Sequence, residues 1–410
     1  MSARTFRAFQ YPNYRRFFFG QAISQCGTWM QSVTVGIVVL HLTNSGVALG
    51  LTTLAQFGPL LVLGSWIGLL CDRLDQHKLL VAVNGAGAVV AAVFAVVVLA
   101  GDPPLWAIFA LTTASGIVLA VENPVRRVFV AELVDEDVIA NATALNSTVM
   151  ITAEAVGLAV AGLLIGGPGV GIVFVINAVS FVPQVALFAR MDRRQLRRQA
   201  RVARGKGQSW EGAAFAWRTP ELRVQLVLMA AIGMFGFSAH TVALPLLATR
   251  DLHGDARTYT WLLTALSVGS LAGALASARR TSVPTRSLAK AAIAFGVCNG
   301  VMGLSPTALI AGLVALPVGF TVMISVAGMN ASVQLSTPPQ LRGRVMALVS
   351  IVLVGSGPIG GPIVGWVSEQ FGAPAALVIG GFVAVGAGAG SLLALRAHAV
   401  EEVATGALAA

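Results

Sequence analysis

The chain has 410 residues, 56% of them hydrophobic and only 11% charged, with a mean hydropathy of +0.81. Soluble domains carry roughly 25% charged residues, so this composition excludes a water-soluble fold, whose apolar surface would have no cover but lipid. The net charge of +10 invites a nucleic-acid reading, but the basic residues are segregated along the chain in the manner of a membrane protein.

A membrane-crossing helix needs ~20 mainly apolar residues. Such runs begin near Phe17, Gly46, Leu79, Leu105, Leu145 and Gly169, and resume near Val224, Thr258, Leu288, Ala308, Val345 and Ala375. Turn residues separate them, as at Gly101-Asp102-Pro103-Pro104, Gly166-Gly167-Pro168-Gly169, Ser305-Pro306 and Phe371-Gly372-Ala373-Pro374. The expected architecture is an all-α membrane protein with twelve transmembrane helices. A six-helix bundle is expected over 1–189, a cytoplasmic linker with an amphipathic segment over 190–223, and a second six-helix bundle over 224–410.

Threaded through that topology, all but two of the 27 Lys and Arg fall on one side, with only Arg250 and Arg257 opposite. The positive-inside rule puts the rich side, and with it both termini, in the cytoplasm. No cleavable signal peptide is expected, because Arg4, Arg7, Arg15 and Arg16 precede an apolar stretch that is a full span. In the linker, Arg193, Arg194, Arg197, Arg198, Arg201, Arg204 and Lys206 read as a solvated segment drawn to anionic lipid headgroups rather than to nucleic acid. Trp210, Phe215 and Trp217 follow as a short interfacial helix. Cys26, Cys71 and Cys298 are too scattered for a metal site or a disulfide framework and read as small apolar packing residues.

The two halves repeat one another. Gly68-Leu69-Leu70-Cys71-Asp72-Arg73 corresponds to Gly273-Ala274-Leu275-Ala276-Ser277-Ala278-Arg279, Ala144-Leu145 to Ala347-Leu348, and Gly157 to Gly361, all at nearly one offset. A duplicated six-helix unit is the plan of a pseudo-symmetric transporter with its substrate site near the midplane.

The residues resemble the major facilitator superfamily over essentially the whole chain. Gly68-Leu69-Leu70-Cys71-Asp72-Arg73-Leu74-Asp75-Gln76-His77-Lys78 is similar to that family's Gly-x-Leu-Ala-Asp-Arg-x-Gly-Arg-Lys, keeping Gly68, Asp72 and Arg73 and departing at Cys71, Asp75 and Gln76. Asn13-Tyr14-Arg15-Arg16-Phe17, Ser24-Gln25-Cys26-Gly27-Thr28-Trp29-Met30-Gln31, Leu42-Thr43-Asn44-Ser45, Ala142-Thr143-Ala144-Leu145-Asn146-Ser147 and Arg342-Gly343-Arg344-Val345-Met346-Ala347-Leu348 resemble its bacterial siderophore, macrolide and multidrug exporters, which are driven by proton antiport. The resemblance implies a bacterial plasma-membrane location. It also implies that Asp72, with Gly68 and Arg73, meets the helix start at Gly343-Arg344 as a conformational latch, an anion stabilised by Arg344 and the helix dipole; the alternative is an ordinary helix-end charge. Where those exporters carry Gly-Pro-x-x-Gly-Gly in the fifth span, this chain reads Gly157-Leu158-Ala159-Val160-Ala161-Gly162. The eleventh keeps Gly357-Pro358-Ile359-Gly360-Gly361-Pro362. Gly157, Gly162, Gly357, Pro358, Gly361 and Pro362 form a helix-packing motif, since small residues admit close approach and proline bends a helix.

Ionisable residues within a span are functional candidates. Glu154, mid-way along the fifth span, is the first candidate for proton coupling, or else a carboxyl statically paired with a neighbour. Glu122 lies four residues before Arg126, an i,i+4 pair. His240 is the histidine placed inside a predicted span, a coupling candidate or a hydrogen-bonded packing residue. Gln21, Gln25, Thr28 and Ser32 form one polar stripe on the first span. It either glues helices or lines the substrate cavity, and we take the cavity, adding Gln31, Asn330 and Thr321 as weaker members.

The expectation is a secondary active transporter exporting amphipathic or hydrophobic small molecules against protons by alternating access. Protons, the small-molecule substrate and membrane lipids are its expected partners; no cofactor, metal or nucleic acid is expected, and the state is monomeric. An uncoupled facilitator or lipid translocator of the same fold is the alternative. A membrane scaffold or sensor is disfavoured because no soluble domain is appended. An enzyme is not expected, because no nucleophile–base constellation or phosphate loop stands in the sequence.

Overall fold

The structure is a computed structural model that describes residues 6–197, 208–278 and 284–409. Within these ranges the side chains of residues 65, 68–73, 151, 208–212, 339–340, 342–343, 347, 354 and 397–409 lie outside the description. The described residues form helices and turns, with no strand among them.

The helices follow from long apolar runs ended by residues that stop them. Helix α1 (Pro12–Thr43) starts on a proline, whose missing N–H costs nothing there. It ends at Asn44, left-handed at φ 45°, with the Asn44 N–H on Leu40 O. Helix α2 covers Gly46–Arg73. Helix α3 (Gln76–Leu99) is capped by the Asp75 carboxylate, which accepts from the Lys78 N–H at 3.1 Å. The departure from the family loop at Asp75 is therefore a helix cap. Then come α4 (Leu105–Glu132), α5 (Ile139–Ile165) and α6 (Val170–Ala189). After the linker, α7 is the short Gln208–Arg218 helix, and α8 spans Pro220–Asp251. Helices α9 (Ala256–Ala278), α10 (Thr285–Gly303), α11 (Ala308–Ser336), α12 (Pro339–Phe371) and α13 (Ala373–Ala409) complete the chain.

Eleven of these helices are long and apolar enough to cross a membrane. The exception among the twelve expected spans is α10, whose 19 residues include Arg286, Lys290 and Asn299 and so fall short in hydropathy. Helix α8 departs from simple α periodicity: Ile232–Phe237, Ala239–Ala243 and Leu247–Asp251 are π-helical, a register that widens the turn.

The chain divides into two compact units, Met1–Asn44 with Leu54–Ala203, and Ser45–Thr53 with Arg204–Ala410. The first is closed at one end by aromatic packing: Phe17 stacks on Phe188 at 5.6 Å between ring centres and tilts against Phe129 at 6.1 Å. Beside them the Tyr14 hydroxyl donates to Ala142 O at 2.8 Å, and the Asn13 amide brackets Asp192 through its carbonyl (2.8 Å) and N–H (3.0 Å). Two segments that carry the family resemblance are thus bonded to each other as packing elements.

The second unit is seamed by glycine. Helices α9 and α11 meet where a Cβ on Gly269, Gly273 or Gly319 would run into the backbone of Leu316, Phe320 or Leu266. Helices α10 and α13 meet at Gly303, where a Cβ would lie 2.8 Å from Pro374 O. Ser45–Thr53 packs on α12 the same way, Gly46 and Gly50 against Gly365 and Gly361, while the Gly46 N–H donates to Glu369 at 2.5 Å. Such close approach lets helices associate through dispersion where lipid supplies no hydrophobic drive.

Candidate functional site

Polar side chains of the first unit converge between α1, α4, α5 and α6. Gln21 is fully buried; its Nε2 donates to Glu122 Oε1 at 3.0 Å and its Oε1 accepts from Gln184 Nε2 at 3.0 Å. The same Glu122 oxygen lies 3.9 Å from the Arg126 guanidinium one turn on, with side-chain exposures of 7% and 6%. Arg126 also donates to Asn123 Oδ1 at 2.6 Å and to the Met150 sulfur at 2.9 Å. The charges of Glu122 and Arg126 cancel inside the span; either alone would cost several kcal/mol to bury.

Met150 leads from this pair to Glu154, four residues further along α5. Four helical residues rise about 6 Å, a little over one turn, and i and i+4 side chains share a face. Glu154 is half-buried and, among the described residues, makes no hydrogen bond or ion pair. A carboxyl group in a span without a partner is costly to keep ionised, and this one stands a single turn from the residue that holds the Arg126 cation.

The stripe on α1 is distributed among partners. Gln21 turns to α4 and α6, whereas the Thr28 hydroxyl donates to Ser24 O of its own helix at 3.0 Å. Ser32 pairs with the Gln56 amide of α2 at 3.3 Å. Gln31 accepts from Asn177 Nδ2 of α6 at 2.7 Å, and Gly27 makes room, since a Cβ there would lie 2.6 Å from Asn177 Oδ1. Gln25 is buried at 4% exposure. Asn177 and Gln184 went unnamed in the sequence reading, although two amides seven residues apart on one face of the sixth span are a readable signal.

In the second unit His240 lies in the π-helical turn Ala239–Ala243, buried at 7% exposure, its Nε2 without a hydrogen-bond partner among the described residues. Asn330 and Thr321 bond back to their own helix, at Val326 O (3.0 Å) and Pro317 O (2.7 Å). In the packing motif, Gly157 is required, because a Cβ would lie 2.7 Å from Cys26 O of α1. Leu158 is buried at 2% and fills the place where the resembling exporters carry proline. Gly162 is half-buried on α5, and Pro358 and Pro362 lie inside α12. The Gly357 carbonyl accepts from Ser238 at 3.2 Å, and Gly361 faces Gly50. The side chains of Gly68, Asp72 and Arg73 lie outside the described residues; Arg344 is half-buried in the first turns of α12. Among the described residues no three His, Cys, Asp or Glu gather as a metal site needs.

Residues 3–408 match the family model described as "Transmembrane secretion effector". The chain belongs to that family, within the major facilitator superfamily. The staphyloferrin A transporter of Staphylococcus aureus (strain NCTC 8325 / PS 47) is 25% identical over 172 residues, 42% of this chain and 43% of that one. The multidrug efflux pump Tap of Mycolicibacterium fortuitum is 32% identical over 166 residues, 40% of each chain. The chain therefore spans about two-fifths of the length of these two relatives. An uncharacterized transporter of the superfamily, YfiS of Bacillus subtilis (strain 168), is 23% identical over 340 residues, 80% of each chain. Among solved structures, a mutant of the nucleoside transporter NupG aligns with a TM-score of 0.74 at 11% identity, covering 93% of this chain and 99% of its own. A bacterial homologue of the lysosomal transporter Spinster aligns at 0.72 with 13% identity, over 94% and 97%. These likenesses show the fold, which is that of the major facilitator type.

Proposed function

We propose that this chain exports amphipathic or hydrophobic small molecules in exchange for protons, by alternating access, with Glu154 as the proton carrier. The observation that carries the reading is the unpartnered Glu154 carboxyl within a span, one turn from Met150, which holds Arg126. Ionised, Glu154 must gain a partner or water inside the bundle; protonated, it stays without one. Those two arrangements of the helix contacts are selected by one proton, which coupling requires. His240, buried with an open Nε2, is the second candidate. The apolar substrate class rests on the scarcity of net charge in the spans and on the likeness to Tap.

In this reading the protein works as a monomer in a bacterial plasma membrane, among lipids, with both termini cytoplasmic; the one-sided distribution of Lys and Arg supports that orientation. An uncoupled facilitator or lipid translocator is the second reading, favoured by the self-neutralising Glu122–Arg126 pair, which needs no proton to stay buried.

Proteoliposomes loaded with a radiolabelled lipophilic cation test the two. Glu154→Gln is expected to retain substrate-for-substrate exchange and to lose accumulation driven by a pH gradient. Gradient-driven accumulation unchanged in that variant refutes Glu154 as the carrier.

A further inference from the structure

A cavity of about 560 Å³ opens in the second unit between α7, the start of α8 and α12, lined by Ala214, Trp217, Leu226, Val227, Leu348 and Val352 with two further alanines. No polar side chain contributes to it. Trp217 is 63% exposed and Val227 47%, so apolar surface stands open on two of its walls. Its residues end in cations on both helices. Ala214 and Arg218 are four apart on α7, and Arg223 heads the α8 face that continues through Leu226, Val227 and Ala230. Neither Arg218 nor Arg223 has an ion pair among the described residues, and both are exposed. Glu221 in the same turn offsets one of the two charges and leaves the turn cationic.

We propose that this groove is a specific site for an anionic membrane phospholipid, its acyl chain along Leu226, Val227 and Leu348 and its phosphate on Arg218 and Arg223. Three features select a bilayer lipid over the other occupants. The groove begins where α8 enters its span, so it lies at the depth of acyl chains. From Arg223 to Ala230 it runs seven residues, about 10 Å, a linear slot suited to a chain. The cations sit at its mouth and not within it, the arrangement of an amphiphile with a charged head. An interfacial tryptophan at the boundary, here Trp217, fits the same depth.

The test uses purified protein in mixed micelles titrated with phosphatidylglycerol or phosphatidylcholine brominated on the acyl chain. The Trp217 signal is the emission of the wild type minus that of Trp217→Phe. Brominated phosphatidylglycerol is expected to quench it at lower concentration than the choline lipid. Arg218→Gln and Arg223→Gln, both at exposed positions, are each expected to reduce that preference about fivefold, the value of one basic residue near an anionic headgroup. Ala230→Phe, which fills the slot, is expected to abolish quenching by both lipids. Equal quenching by the two lipids, unchanged in the arginine variants, would mean a nonspecific lipid shell and overturn the site. Protection of Trp217 that grows with protein concentration would put a second copy there, and displacement of the brominated lipid by a lipophilic cation would put the transported substrate there; either overturns it.

Discussion

Glu122→Leu probes the polar network of the first unit most directly. The substitution leaves the Arg126 guanidinium, 6% exposed, with Asn123 and Met150 as its remaining partners, and strips Gln21 Nε2 of its acceptor. Breaking a buried ion pair from one side costs about 3–5 kcal/mol. The 3.9 Å separation of Glu122 from Arg126 and the small average worth of polar contacts in membranes, about 0.6 kcal/mol, place the expectation at the lower end, about 3 kcal/mol. Removing both charges with Glu122→Leu/Arg126→Leu abolishes the uncompensated cation, so the double variant is expected to lie within about 1–2 kcal/mol of wild type. Unfolding by SDS, followed by circular dichroism and by labelling of the free, half-buried Cys26 and Cys298, reads both. A single variant no less stable than the double would refute the reasoning, because the cost would then be lost packing and not an orphaned charge.

Gly157→Val is expected to lower the unfolding midpoint by about 1–3 kcal/mol, since its Cβ would meet Cys26 O and Trp29 of α1; Gly85→Ala, with nothing within 4 Å, is the control and is expected to be neutral or mildly stabilising. Tyr11→Phe removes a 2.5 Å hydrogen bond to Asp135, the bond that chiefly holds the phenol above its ordinary pKa of 10.0. The stabilisation is therefore fully present below the unfolded pKa and lost as pH rises through the folded one. The wild-type advantage, about 1 kcal/mol or less at this half-buried site, is expected to be flat through neutrality and to vanish in alkali. Asp255→Ala removes the carboxylate that accepts the Thr258 N–H at 2.9 Å, the bond that chiefly depresses the Asp255 pKa below 3.8. About 0.5–1 kcal/mol is expected to be lost above the unfolded pKa, the difference closing as pH falls through the folded pKa, in melts run across acid pH.

The helices were legible because each is an apolar run bounded by turn residues, and hydropathy needs no partner to be read. Helix α10 shows the limit of that reading: Lys290 and Asn299 lower its hydropathy, and Asn299 is accommodated by donating to Leu377 O of α13 at 2.8 Å, a contact 78 residues distant. The π-helical register of α8 leaves no mark in apolar spacing, so His240 was placed in the right span without its local geometry. The stripe on α1 was visible, but which partner each side chain takes depends on α2, α4 and α6, and Gln21, Thr28 and Ser32 go three different ways. Tyr14 and Ala142 each belonged to a quoted motif, yet their hydrogen bond joins segments 128 residues apart, beyond any local pattern. Glu154 was singled out because it is a carboxylate in a span; that it stands without a partner among the described residues is a tertiary fact.

The most direct test of the central claim is substrate-dependent proton movement. Purified protein is reconstituted into liposomes holding a pH-sensitive dye, a pH gradient is imposed, and lipophilic cations, macrolides and siderophores are added in turn, with Glu154→Gln in parallel. The account predicts proton flux that begins on addition of a transported substrate and is lost in the variant. Substrate movement without proton flux would contradict antiport, leave a facilitator, and return Glu154 to a structural role.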